Sequence, residues 1–164
     1  MADPVYLFTR DQFPLLLLRK FYPERTDGES AVIRDFLLNH INDFDRLQFS
    51  VRIGEGVAPD PSLPESTQRQ ASFNSKKRID ILAWRGNAPT IVEVKQRVTP
   101  ASLGQILTYR HLWMVEHPDA PEPNLVVVGR TSDKDTLQSL AAHGITTYIY
   151  EGATAAGHDA GVGV

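Results

Sequence analysis

Two short apolar runs, each broken by a single acid, constrain this chain most. Ile79-Asp80-Ile81-Leu82-Ala83-Trp84 is apolar except at Asp80, and Ile91-Val92-Glu93-Val94 is apolar except at Glu93. Runs of about five aliphatic and β-branched residues bounded by turn formers have the pattern of buried strands. Between them Arg85-Gly86-Asn87-Ala88-Pro89 is rich in turn residues, so an antiparallel hairpin is predicted. Side chains alternate faces along a strand. Arg78, Asp80 and Leu82 are therefore expected on one face of the first strand, and Ile91, Glu93 and Lys95 on one face of the second. If the register aligns those faces, two carboxylates and an ammonium meet at one sheet edge.

Two carboxylates in an apolar sheet repel each other and are costly to bury. A hard divalent cation relieves both problems. Mg²⁺ takes one or two carboxylates and leaves other positions to water and phosphate oxygens, and Mn²⁺ is the expected substitute. Such an ion acidifies water, polarises a phosphoryl oxygen and holds a leaving group. Lys95 supplies a compact charge for orienting water or stabilising charge on phosphate. Asp80, Glu93 and Lys95 thus have the parts for metal-assisted phosphodiester hydrolysis. The alternative is an ordinary ion pair among strand polar residues, since Glu-Val-Lys is a common tripeptide. Asp80 upstream, with Gln105 and Tyr109 downstream, favours the catalytic reading.

A chain of 164 residues is long enough for one domain with a sizeable core, and 41% apolar and 23% charged residues are ordinary for a globular protein. There is no cysteine, which excludes disulfides, thiolate zinc sites and iron–sulfur clusters. The formal charge of −3 does not itself point to nucleic acid. Between Arg69 and Arg97, however, seven Lys/Arg (69, 76, 77, 78, 85, 95 and 97) face only Asp80 and Glu93, a local +5, so the rest of the chain carries −8. Such a patch is either the footprint of a polyanion or a solvated basic hairpin. The N-terminus lacks a basic region followed by a long apolar run, and Leu15 to Leu18 is too short to span a membrane. A cytoplasmic protein, or one packaged into a virion from the cytoplasm, is expected.

Residues 1–26 read as an N-terminal arm punctuated by Pro14 and Pro23, holding a short helix or docking on the domain or a partner. Asp27 is the expected N-cap of a helix of about 13 residues, with Val32, Ile33, Phe36, Leu37 and Ile41 on its apolar stripe. Glu29 falls on that stripe, either reaching a metal site or serving as a first-turn acid favoured by the helix dipole. Leu47 to Ile53 alternates cleanly as a half-buried strand. Gly54 to Ser75 has little periodicity and is expected as a long loop. There Arg69, Gln70, Phe73 and Asn74 form either a flap over nucleic acid or a disordered connection. Thr99 and Pro100 look like the N-cap and first residue of a helix reaching about Glu116, which puts Gln105 and Tyr109 on one face. Arg110 and His111 are further candidate phosphate contacts. Asn124 to Gly129 reads as a buried strand. A helix follows from Ser132 or Asp133 to His143, with Gly144 as its cap. Ile145 to Tyr150 reads as a last strand, and Glu151 to Val164 as a flexible tail.

In order, Asp80, Glu93-x-Lys95 and Gln105-x-x-x-Tyr109 resemble the PD-(D/E)xK nuclease superfamily, and the last motif is similar to its RecB-like branch. The resemblance covers about Asp27 to Tyr150 and implies an α/β, restriction-endonuclease-like αβββαβ core, with a central mixed sheet flanked by helices. It implies a Mg²⁺-dependent deoxyribonuclease with Asp80, Glu93 and Glu29 on the metal and Lys95 assisting the water. Gln105 would lie near the metal-bound water or a phosphate, and Tyr109 against the nucleotide backbone. Lys76, Lys77, Arg78, Arg97 and Arg110 are the expected DNA contacts. Ile79 stands where the name-giving Pro would be. With no motor or specificity domain recognisable, DNA targeting is expected from a homo-oligomer or larger assembly contacting the arm and tail. The alternative is a structural nuclease-fold part of a phage particle, at head completion or the head–tail junction.

Overall fold

The computed structural model describes residues 6–152 as an α/β fold, a six-stranded mixed sheet flanked by helices. The strands are β1 (Tyr6–Thr9), β2 (Arg46–Ile53), β3 (Lys77–Arg85), β4 (Ala88–Val94), β5 (Asn124–Gly129) and β6 (Thr146–Ile149), adjacent in chain order. β1 to β4 run antiparallel, and β5 and β6 continue parallel to β4. The helices are α1 (Phe13–Leu17), α2 (Asp27–His40), α3 (Glu65–Ser75), α4 (Pro100–Glu116) and α5 (Lys134–Ala142). Among the described residues no helix is long and apolar enough to cross a membrane.

Two apolar layers cover the sheet. One joins Phe13, Leu16, Val32, Ile33, Phe36 and Leu37 to the strand residues Leu47, Phe49, Ile81, Val92 and Val126. The other joins Ile106, Tyr109, Trp113 and Leu140 to Leu82, Ile91, Leu125 and Val127. Ile106, Tyr109 and Trp113 recur at i, i+3 and i+7, one stripe of α4, and burying each such side chain contributes about 1.5–3 kcal/mol. The segment read as an arm supplies, from Tyr6 on, an edge strand and the core residues Phe13, Leu16 and Tyr22. The tail read as flexible lies outside the described residues beyond Gly152.

Three local expectations change. The N-cap of α2 is Thr26, not Asp27. Thr26 accepts from the Glu29 amide at 3.3 Å while Glu29 Oε2 accepts from the Thr26 amide at 3.1 Å, so the Thr-x-x-Glu box satisfies two donors where Asp27 would satisfy one. Part of the expected long loop is α3, which has no buried residue. It is held instead by pairs four apart, Glu65 with Arg69 at 2.8 Å and Gln70 with Asn74 at 2.9 Å, so it carries no apolar period. Finally, β2 does not alternate cleanly. Leu47 and Phe49 pack in the α2 layer, whereas Ile53 and Val51 pack in the α4 layer. The switch falls at Ser50, whose φ of 56° is left-handed.

Candidate active site

β3 and β4 form the expected hairpin, turning at Gly86 with φ 59°. Their ladder ends at Ile81↔Val92. Beyond it β3 stays paired with β2 as far as Lys77, and β4 stays paired with β5 as far as Val94. The sheet therefore forks, and one further step of the register puts Asp80 opposite Glu93 at the mouth of the fork. Ser50, the left-handed residue of β2, sits at the position opposite Asp80 where that ladder skips a pair. Ile79 packs in the same layer as Leu82, so strict alternation, which joined Arg78, Asp80 and Leu82, fails across Asp80.

The fork leaves the Val94 amide without a strand partner, and Asp80 Oδ2 accepts it at 2.7 Å. Asp80 Oδ1 is paired with Arg25, from the loop before α2. Both side chains are buried, at 4% exposure for Arg25 and 5% for Asp80. Glu93 is fully buried, and Lys95 Nζ lies 2.6 Å from its Oε1. Apart from this ion pair neither Glu93 oxygen has a partner. Two carboxylates brought together in a buried site repel each other when both are ionised. Burial, then the Asp80 charge, push Glu93 up to about 8, against Lys95 and Arg25. Burial also raises Asp80, against Arg25, the Val94 amide and Lys95.

Tyr109 and Gln105 face this pair from α4. Gln105 Nε2 donates to the Tyr109 hydroxyl oxygen at 2.6 Å, which leaves the phenol proton for another acceptor. Burial, then the Glu93 charge, hold Tyr109 up at about 12, so it remains a neutral donor. Tyr109 is 3% exposed, an apolar-layer residue rather than one lying open to a nucleotide backbone. Glu29 closes the α2 capping box, and its charge also bears on Asp80.

The basic residues do not all converge. Lys76 is half-buried and Lys77 exposed at the start of β3, beside the fork, and Arg97 is exposed just past Lys95. Arg78 donates to Glu24 at 2.9 Å, with Arg52 3.6 Å from the same carboxylate. Arg69 is on Glu65, and Arg85 donates to the Asp43 carbonyl at the far end of the hairpin. Arg110 is paired with Glu122 at 3.4 Å, which draws it away from the acids. Thus much of the local +5 is matched by acids from elsewhere in the chain.

Arg25 is the site residue that sequence reasoning missed. Its one local signal is its place immediately before the Thr26 cap, since Asp80 lies 55 residues away. Among the described residues, no cluster of three or more His, Asp or Glu is gathered to hold a metal. The donor set fits a hard cation on one or two carboxylates, completed by water and phosphate, and the buried Glu93 oxygens, whose one partner is Lys95, are acceptors it would satisfy. No protein-family model, curated protein or solved structure matches the chain.

Proposed function

We propose that this chain is a divalent-cation-dependent deoxyribonuclease on a restriction-endonuclease-like core. The observation that carries the reading is the fork, where two buried acids, Asp80 and Glu93, gather with Lys95, and Glu93 has no partner but that ammonium. Burying one acid against a second is costly even with Lys95 beside it, so a fold with only structural demands gains little from this arrangement. Asp80 and Glu93 would hold Mg²⁺ or Mn²⁺, with Glu29 as an outer acid. When bound, the ion supplies Lewis acidity toward the phosphoryl oxygen and the attacking water.

The chain's own groups do the rest. Lys95 is 32% exposed beside Glu93, so its ammonium reaches both the acid and an incoming phosphate, where it stabilises developing charge. Gln105 and the neutral, buried Tyr109 form a fixed donor pair on α4 that orients water at the acid pair. In the hydrolysis a water oxygen bonds to phosphorus, the bond from phosphorus to one sugar oxygen breaks, and that oxygen leaves with a proton. Lys76 and Lys77, at the start of β3, and Arg97, two residues past Lys95, would take the phosphate backbone on either side. The polar face of α3, with Arg69 and Gln70, lies next to them in sequence and suits the same strand.

The test is cleavage of supercoiled plasmid, linear duplex and single-stranded DNA in Mg²⁺ or Mn²⁺ against EDTA, beside Lys95→Ala. Metal-dependent cutting that Lys95→Ala loses supports the reading, and the plasmid-to-linear ratio separates endonuclease from exonuclease. A folded chain that cuts none of the three overturns it and leaves a structural role for the same fold.

A further inference from the structure

Arg25 is placed with unusual care. Its loop is tied at each step: Ser50 Oγ donates to the Pro23 carbonyl at 3.0 Å, and Glu24 is gripped by Arg78 and Arg52. The Arg25 amide donates to the Tyr22 carbonyl at 3.2 Å, and the Tyr22 amide donates to Ser30 Oγ at 3.2 Å. Two residues of this clasp, Glu24 and Ser50, both have a φ of 56°. Left-handed backbone is unfavourable for residues other than glycine and persists where the surroundings enforce it.

What the clasp delivers is a half-used guanidinium. Nη1 is on Asp80, while Nε and Nη2 are buried with no acceptor. Those two nitrogens form the side-on fork of an arginine, the edge that matches two oxygens of one phosphate. Across the site Glu93 is equally buried and has only the Lys95 ammonium for a partner. In formal charge Arg25 and Lys95 balance Asp80 and Glu93. Adding a divalent ion leaves an excess of two positive charges, which a phosphodiester and a hydroxide cancel. A divalent ion held by Asp80 would displace Arg25, and a phosphate is the anion that would suit the freed guanidinium.

We propose that Arg25 is parked on Asp80 in the free chain and passes to the scissile phosphodiester when a divalent ion takes Asp80, binding two phosphate oxygens through Nε and Nη2. This rests on the nuclease reading above and adds to it a substrate-binding residue and the order of events at the fork. Metal and DNA then help each other bind, because each removes an obstacle to the other.

The experiment compares the full chain with Arg25→Met by calorimetric titration with Mn²⁺ alone, and by duplex cleavage at saturating Mn²⁺. The expected result is crossed: Arg25→Met binds Mn²⁺ at least about tenfold more tightly, yet cuts at least about 100-fold more slowly. Mn²⁺ affinity that is unchanged or weaker overturns the parking on Asp80, and an unchanged saturated rate overturns the phosphate contact. A wild-type chain that neither binds Mn²⁺ nor cuts overturns the nuclease reading itself, an outcome distinct from either. Should Arg25→Met not fold, the wild-type Arg25 Nε–H resonance, assigned with Arg25→Lys, is followed as Mg²⁺ is added. Its shift and loss of exchange protection at saturation support the exchange, and an unmoved resonance overturns it.

Discussion

Replacing Glu93 by Gln tests the electrostatics of the fork without assuming any activity. Glu93 is fully buried and its carboxyl is pushed from 4.5 up to about 8, by burial first and by Asp80 second. Between those two pH values the unfolded chain releases the Glu93 proton while the folded chain keeps it. Bound protons are then more numerous in the folded state, so stability falls as pH rises, at up to about 1.4 kcal/mol per pH unit. Over about 3.5 units the loss is about 5 kcal/mol, complete above about pH 8 and absent below about pH 4.5. Gln has the same shape and no charge to bury, and it leaves amide atoms without partners at a cost of about 1–3 kcal/mol. Glu93→Gln should therefore be no more stable than wild type at pH 5 and about 2–4 kcal/mol more stable at pH 9. Urea unfolding in EDTA, followed by Trp84 and Trp113 fluorescence from pH 5 to pH 9, measures the difference directly. A difference that is flat with pH, or that moves in favour of wild type as pH rises, refutes the reasoning.

Divalent metal should reverse that loss. Mn²⁺ should raise the unfolding temperature in metal-free buffer more at pH 9 than at pH 6, because below about pH 8 the ion must displace a proton from the acid pair, and equal shifts would contradict this. Gly129→Ala would put a methyl 2.5 Å from Val98 Cγ2 and 3.2 Å from the Lys95 carbonyl oxygen. It should cost about 1–3 kcal/mol in urea unfolding and slow cleavage by shifting the segment that carries Lys95. Removing Lys76 and Lys77 together should weaken duplex binding and reduce the slope of log affinity against log salt by about 2, read by anisotropy of a labelled duplex in Lys95→Ala, whose DNA stays intact.

The parts of this molecule that were legible in the sequence are those set by neighbours in the chain. The hairpin follows from Ile79 to Trp84, the turn at Gly86 and Ile91 to Val94, and the register, which the sequence left open, brings Asp80, Glu93 and Lys95 together. The start of α4 follows from Thr99 and Pro100, and its one-sided pairing of Gln105 with Tyr109 follows from their spacing. What was hidden depends on distant partners or on backbone geometry without a residue signature. Ser50 has no side-chain reason to be left-handed, and its turn sends the second half of β2 to the other layer. α3 buries nothing, so no apolar period could betray it. Arg25 became a site residue only when the fork opened beside the start of α2, and acids such as Glu24 and Glu122 drew Arg78 and Arg110 into pairs that a charge count cannot see.

The most direct measurement of the central claim is the rate of duplex DNA cleavage against Mn²⁺ concentration, for wild type beside Glu93→Gln at a pH where both are folded. Saturable metal dependence in wild type, with a loss of at least about 100-fold in Glu93→Gln, is the expected result. Cleavage that persists in EDTA, or that Glu93→Gln leaves intact, would contradict the assignment of the fork as the metal-dependent site.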